Sequence, residues 1–262
     1  MGIFCNDKSM TALAGLGYNV VRHPSANFRP MLLIGKQSGE FLQLGSLNQL
    51  ITNPPGPLPT ITTGEEGAGI SGQSSSKLDL GIGANILGSL IGAMGGNLGI
   101  NVSYTDARRI EFKYTDVTLD SVVPLDVGAY LRDGAVDAGN LILEQYVLGN
   151  GELYIVTKVA RSNKFTVSYE RKNSTGAKVD VPALQALASA NVKVSADAQN
   201  SYVITFVGST TLGFAFQAVQ VGVFNGELSL TSVKAGAVTA AAGADLSKPL
   251  PIAPPNALLD LR

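Results

Sequence analysis

With 262 residues and 45% hydrophobic content, the chain is long enough to bury the core of one large domain. A formal net charge of −1, with no basic stripe interleaved with aromatics, excludes nucleic acid as a partner. The single cysteine, Cys5, excludes a disulfide framework and any cysteine-based zinc cluster.

The N-terminal MGIFCNDK has no apolar stretch of the kind that marks a secretory or lipoprotein signal, and Asn6 stands where a myristoylation motif wants Ser or Thr, so a cytoplasmic start is expected. A lone cysteine is most often simply a small hydrophobe. Ser9 to Gly15 reads as a short helix with Ser9 as N-cap, and Tyr18 to Arg22 as a strand closed by Pro24. Met31 to Ile34 and Phe41 to Leu44 form a second strand pair. The prolines of Asn53 to Pro59 rule out regular structure there, and Thr63 to Lys77, TGEEGAGISGQSSSK, is expected to be a flexible polar loop.

Leu80 to Thr105 is uncharged, rich in glycine, and carries two periods at once. Its centre, Ala84 to Met94, places Ile86, Leu87, Leu90, Ile91 and Met94 along the stripe of an amphipathic helix. Its flanks alternate like strands: Leu80, Ile82, Ala84 and Ile86 on one side, and Leu98, Ile100, Val102 and Tyr104 on the other. A sequence written for one state rarely mixes its periods so evenly.

Ile110, Phe112 and Tyr114 continue the second alternation, so a strand beginning at Leu98 is expected to run to Val117. Ser121 to Asp133 reads as a helix with Ser121 as cap and Pro124 in its first turn, and Leu141 to Leu148 as a strand. Leu153 to Arg171 is a hairpin candidate turning at Arg161 to Lys164, its second arm carrying Phe165, Val167 and Tyr169. Pro182 to Ala190 reads as a helix, and strands follow at Tyr202 to Val207, Leu212 to Phe224 and Leu228 to Val233. Strands joined by short turns, with few helices, indicate an antiparallel α+β domain. Residues 234–247 are small and read as a linker, whereas the proline-rich 248–262 keeps Leu250, Ile252, Leu258, Leu259 and Leu261, more apolar bulk than a disordered tail normally holds.

Catalytic chemistry is hard to find. His23 is the only histidine and sits between Arg22 and Pro24 at a strand end, where a surface or turn role is far commoner than catalysis. The glycines of DLGIGANILGS miss the third glycine of a dinucleotide fingerprint, no phosphate-loop GK[ST] occurs, and no metal ligand set is apparent. A membrane role fits better, because a bilayer-crossing hairpin needs only about 9 to 11 residues per strand with apolar groups at alternate positions. Leu98 to Thr105 with Ile110 to Val117 offers one such hairpin and Leu153 to Arg171 another. Two hairpins per chain close into a barrel only by oligomerising, since an open edge in lipid is prohibitive.

With these pieces together the chain resembles the bacterial gasdermins. The resemblance is carried by GLGYNVVRHPSANFRPMLLIGKQ, Gly15 to Gln37, by Cys5 at the place where family members are palmitoylated, by the length, and by the short apolar C-terminal peptide. It implies a twisted, mainly antiparallel sheet with peripheral helices, residues 1–233 as the pore-forming body, 234–247 as a protease-sensitive linker and 248–262 as an autoinhibitory peptide. It also implies a covalent palmitate on Cys5 and no other cofactor. The inhibitory contacts would come from Leu250, Ile252, Leu258 and Leu259. The membrane-inserting residues would be Ile86, Leu90, Ile91, Leu98, Ile100, Val102, Tyr104, Phe165, Val167 and Tyr169. The implied partners are an activating protease, often caspase-like in the family, then membrane lipids and further copies of the chain in a large ring. The protein would rest in the cytoplasm and move to the inner membrane after cleavage, killing the cell as an antiphage defence. Lys234, Asp245 and Leu246 all fit as cleavage residues. The rival readings are a soluble binding or structural module, in which Leu80 to Thr105 is ordinary core, and an α/β enzyme, which needs a polar pocket the sequence does not advertise.

Overall fold

Alternation of apolar and polar residues puts most of the described chain into strands. The computed structural model describes residues 3–4, 13, 15–68, 70, 74–94, 107–136, 139–147, 149–171, 185, 191–196, 203–224, 227–231, 252–253 and 257–261. In chain order the strands are β1 (Ile3–Phe4), β2 (Asn19–Ser25), β3 (Leu32–Gln37), β4 (Glu40–Ser46), β5 (Ile51–Asn53), β6 (Ile61–Glu66), β7 (Ser74–Asp79), β8 (Ala107–Thr115), β9 (Thr118–Val122), β10 (Ala135–Val136), β11 (Glu152–Arg171), β12 (Val192–Ala196), β13 (Val203–Phe224), β14 (Glu227–Thr231) and β15 (Ala257–Leu258). The helices include α1 (Leu80–Ala93), α2 (Pro124–Asp133) and α3 (Leu141–Val147).

Among the described residues eleven strands join one antiparallel sheet whose spine is the pair β11 and β13, in register from Leu153 opposite Val221 to Ser168 opposite Val203. Along its other edge β11 meets β3, then β9, then β8. Along its own outer edge β13 meets β14, β2 and β12. A further rank adds β4 to β3, β6 to β9 and β7 to β8. The fold is therefore α+β, a mainly antiparallel sheet with helices at its periphery. The β3–β4 turn shows how locally such pairing is encoded: Ser38 and Gly39 both have positive φ, 51° and 80°, as a two-residue hairpin loop matched to strand twist requires.

Several expected elements differ. Leu153 to Arg171 is no hairpin but a single strand of 20 residues, and the two strands expected at Tyr202 to Val207 and Leu212 to Phe224 are one strand of 22. The polar run Arg161 to Lys164, which looks like a turn, is a place where register shifts, and its side chains satisfy the backbone groups the shift frees. Ser162 Oγ lies 2.6 Å from the Thr115 carbonyl and accepts from the Lys164 amide at 2.9 Å, and Asn163 donates to the Gly208 carbonyl at 3.0 Å. The strand expected to reach Val117 breaks at Asp116, whose φ is 53°, and resumes as β9. Ser121 belongs to β9 rather than capping a helix; α2 starts at Pro124 with Val123 as N-cap, and Val127, Tyr130 and Leu131 face the core.

The segment Thr63 to Lys77 contains β6 and β7 rather than only loop, because an edge strand needs backbone partners and not apolar side chains. Leu141–Val147 is a helix, not a strand. A seven-residue segment is too short to reveal its period, and the helix is closed by the Gly149 amide on the Glu144 carbonyl at 3.1 Å while Tyr146 packs where Gly35 has no side chain. Strand β12 lies beyond the elements expected from sequence.

Arg161 ties these layers together at the register shift. It is buried beside Asp120, with Nη1 3.2 Å from the carboxylate, and it donates to the carbonyls of Ala26, Phe28 and Thr211 at 3.2, 3.3 and 3.1 Å. A buried charge is tolerated only when so many groups answer it. Replacing Asp120 with Ala should lower unfolding free energy by about 3 to 5 kcal/mol in urea melts, since it strands the guanidinium in the core. The substitution R132A at the exposed Arg132–Asp133 pair should leave the midpoint unchanged.

Candidate functional site

Beyond Arg161 the sheet has two unlike faces, as strand alternation dictates. On one, Phe165 stands opposite Phe206 and Tyr114, and Val167 opposite Ile204 and Phe112, all of them buried. Phe165 and Phe206 stack at 5.1 Å between ring centroids, and Tyr114 stacks on Phe214 at 3.8 Å. On the other face, Lys164, Thr166 and Ser168 of β11 stand beside Lys113 and Glu111 of β8, Thr205 of β13, and Lys193 and Ser195 of β12, all partly or fully exposed.

Helix α1 covers the apolar face. Ile86, Leu87, Leu90, Ile91 and Met94 are at most 4% exposed and share one cluster with the sheet residues just named. Met94 sits over Gly208, where an added Cβ would come within 2.5 Å of its sulfur. Four of the fourteen residues of α1 are glycine, and each costs about 1 kcal/mol of helix stability relative to alanine. Burial holds this helix, at about 1.5 to 3 kcal/mol per large apolar side chain, rather than intrinsic propensity. In sequence α1 is part of the connection between β7 and β8, which pair with each other.

The C-terminal segment occupies the free edge of β2. The Leu259 amide donates to the Val20 carbonyl at 2.9 Å, and the Arg22 amide to the Leu259 carbonyl at 2.8 Å. β15 pairs with β1, placing Leu258 opposite Ile3. Ile252 donates its amide to the side-chain oxygen of buried Asn19 at 2.9 Å, and Asn19 in turn reaches the Phe216 carbonyl. Arg22 Nη1 lies 3.3 Å from Asp260 Oδ2. Ile252, Leu258 and Leu259 are 6%, 3% and 2% exposed. Nearby, burial pushes the Tyr18 phenol up to about 12, so it stays neutral at physiological pH.

The residues expected to insert in a membrane thus fall on both sides of one buried layer: Ile86, Leu90 and Ile91 on α1, Phe165 and Val167 on β11. Tyr169 is also on β11, its backbone opposite Ile110. Cys5, Leu98, Ile100, Val102, Tyr104, Lys234, Asp245, Leu246 and Leu250 lie outside the described residues. Sequence reasoning placed Phe112 and Tyr114 on a strand but passed over Ile204 and Phe206 across β11 from them, and it did not foresee the partners of Asn19, Arg22 and His23, which lie more than 60 residues away. Among the described residues no three His, Cys, Asp or Glu side chains are grouped to hold a metal ion, and no helix is long and apolar enough to cross a membrane.

A sheet that hides one face under its own inter-strand connection, with a C-terminal segment laid along a strand edge, defines a class of protein that stores a large apolar surface out of water. Residues 21–233 match the model of the Bacterial Gasdermin Family. The chain is 42% identical over 241 residues to the gasdermin bGSDM of Vitiosangium sp., covering 92% of this chain and 90% of that one. It is 32% identical to a gasdermin of a Desulfuromonadales bacterium, over 86% and 85% of the two chains. The structure of a bacterial gasdermin from Bradyrhizobium tropiciagri has the same fold, with a TM-score of 0.62 at 18% identity over 86% of this chain and 91% of that one. The chain belongs to the bacterial gasdermin family.

The seat of Met94 offers a direct check on how α1 is held. Gly208→Val should lift the end of the helix from the sheet, and amide exchange over Ile86 to Ile91 should quicken by at least tenfold while exchange in β3 stays as it was.

Proposed function

We propose that the chain is an autoinhibited pore former: removal of the C-terminal peptide by a protease lets the body assemble with further copies and insert strands into a membrane. The apolar face under α1 carries this conclusion. Both connections that would lengthen into membrane strands, the one between β7 and β8 and the one between β11 and β13, leave the sheet at the same end, where Arg171 is paired with Ala107. The stretch from Leu80 to Asp106 is long enough for two arms of about 9 to 11 residues and a turn.

The pairing already present supports the idea further. β7 and β8 are in register with Leu78 opposite Ile110 and Asp79 opposite Arg109. Continued without a slip, that register would set Ala84 opposite Tyr104, Ile86 opposite Val102, Gly88 opposite Ile100 and Leu90 opposite Leu98, all on the parity of buried Ile110. Asn85 would meet Ser103 and Ser89 would meet Gly99 on the other parity; Ile91 would join them opposite Asn97, close to the turn. The two periods of this segment would then serve two states, helix at rest and lipid-facing strand in the pore.

In the resting protein the segment of residues 248–262 would act as the inhibitor, through Ile252, Leu258 and Leu259 together with Leu250, and the cut would fall in 234–247, with Lys234, Asp245 and Leu246 as candidates. Its removal would bare the edge of β2, and an open strand edge is a template for association. Cys5, directly after the strand that pairs with the tail, would carry a palmitoyl group; at about 0.8 kcal/mol per buried CH₂ such a chain favours a pocket or bilayer strongly over water. The resting protein would be cytoplasmic and the pore would sit in the inner membrane, its cell-killing activity serving antiphage defence.

A liposome dye-release assay tests this. Protein ending at Ala244 should leak vesicles without any protease, and full-length protein should not; a folded but inert truncation would end the pore model. In the leaking form, Val102→Arg should abolish release because a cation facing lipid near the midplane costs about 2 to 4 kcal/mol, whereas Asn101→Arg, one position along and facing the lumen, should retain it. Intact-mass spectrometry of protein from its native host should show the acyl mass on wild type and not on Cys5→Ala.

A further inference from the structure

We propose that His23 is a relay through which the docked C-terminal segment holds helix α1 in place. Strand β2 lies between the two, with the tail along its edge and α1 packed against it. At the end of that contact the two oxygens of Asp260 are divided between neighbouring side chains of β2. Oδ2 is 3.3 Å from Arg22 Nη1, and Oδ1 is 4.0 Å from His23 Nε2. The opposite nitrogen of the ring, Nδ1, is 3.0 Å from Ser89 Oγ on α1.

An imidazole is rigid, so a partner on one nitrogen sets where the other points. With Asp260 in place the ring is held in the orientation that meets Ser89; without it the half-exposed ring is free to turn, and the bond to Ser89 is lost for part of the time. Asp260 thus acts on α1 without touching it. An apolar link runs in parallel, since Leu258 of the tail belongs to the same buried cluster as Ile86, Leu90 and Ile91. The polar relay matters because α1, with its four glycines, has little intrinsic stability to spare. If the protein is a pore former as proposed above, the relay makes release of the tail the first step in loosening the helix.

Hydrogen exchange on the intact full-length protein, without membranes, tests the relay separately from pore formation, so either can fail alone. In D260N the amides of Leu80–Ala93 should exchange about two- to fivefold faster, the range expected for losing a half-exposed polar contact, while the Ile252 and Leu259 amides keep their protection. H23Q places its amide where Nε2 stands and gives up Ser89, so it should speed α1 exchange equally with Asp260 intact. H23N keeps a group at the Nδ1 position but not the reach to Asp260, and adding D260N to it should change nothing more. Unchanged α1 exchange in H23Q overturns the proposal, as does a D260N effect that persists in S89A. If D260N unseats the tail, the H23Q result alone decides.

Discussion

A sheet with one apolar face must give that face to something other than water, and here the cover is a helix that the same sequence could write as a strand. Phe112, Tyr114, Phe165, Val167, Ile204 and Phe206 form a continuous apolar layer. Helix α1 closes it with five side chains on a backbone weakened by glycine. The arrangement is stable only as a pair: the helix has too little propensity to persist alone, and the sheet face would expose stacked aromatic rings without it. Whatever shifts the helix therefore uncovers the face.

The two long strands change character at the Arg161–Asp120 pair, and their covering changes with it. Below it β11 reads Leu153-Tyr154-Ile155-Val156, with Leu153 and Ile155 in one buried cluster and Tyr154 and Val156 in another, so both parities are apolar and both faces are packed. Above it, Phe165-Thr166-Val167-Ser168 alternates, and one face is left to solvent. One strand thus belongs to a two-sided core and to a one-sided sheet. The buried ion pair marks the boundary, fixing Ala26, Phe28 and Thr211 around a backbone whose register shifts there. A change confined to the one-sided part would leave the two-sided part standing.

That boundary is also where sequence reasoning stumbled. Arg161-Ser162-Asn163-Lys164 has turn chemistry, and turn residues are chosen for their ability to satisfy loose backbone groups; a register shift inside a strand frees the same groups and is served by the same side chains. Local sequence does not tell the two apart. Thr63 to Lys77 misled for a related reason, because an edge strand can be polar on both faces. By contrast the stripe of α1 and the alternation of β8 and upper β11 were legible, since burial on one face writes its period into the chain. The contacts of Asn19, Arg22 and His23 with the tail left no such trace. All three join residues more than 230 positions apart, and a polar side chain on a strand end looks the same whether its partner is water or a distant carboxylate.

The tail's contacts are few enough to suit the release proposed above. Among the described residues its backbone joins β2 through two backbone hydrogen bonds and a third from the Ile252 amide to the Asn19 side chain, each adding about 0.5 to 1.5 kcal/mol net, and the buried side chains of Ile252, Leu258 and Leu259 supply the larger part. Against these stands the cost of ordering an extended peptide, about 1 to 2 kcal/mol for each backbone fixed. If residues 234–247 act as the proposed linker, the balance would favour docking while the peptide is tethered, because a short flexible linker keeps the effective concentration in about the millimolar range. Cutting it would remove that concentration without weakening any single contact. A peptide that binds the edge of β2 only when attached would then diffuse away, leaving Val20 and Arg22 with unpaired backbone groups and the Leu258 site beside α1 empty. On the proposed function the same few contacts would be sufficient before cleavage and insufficient after it, and that difference would require no change in the contacts themselves.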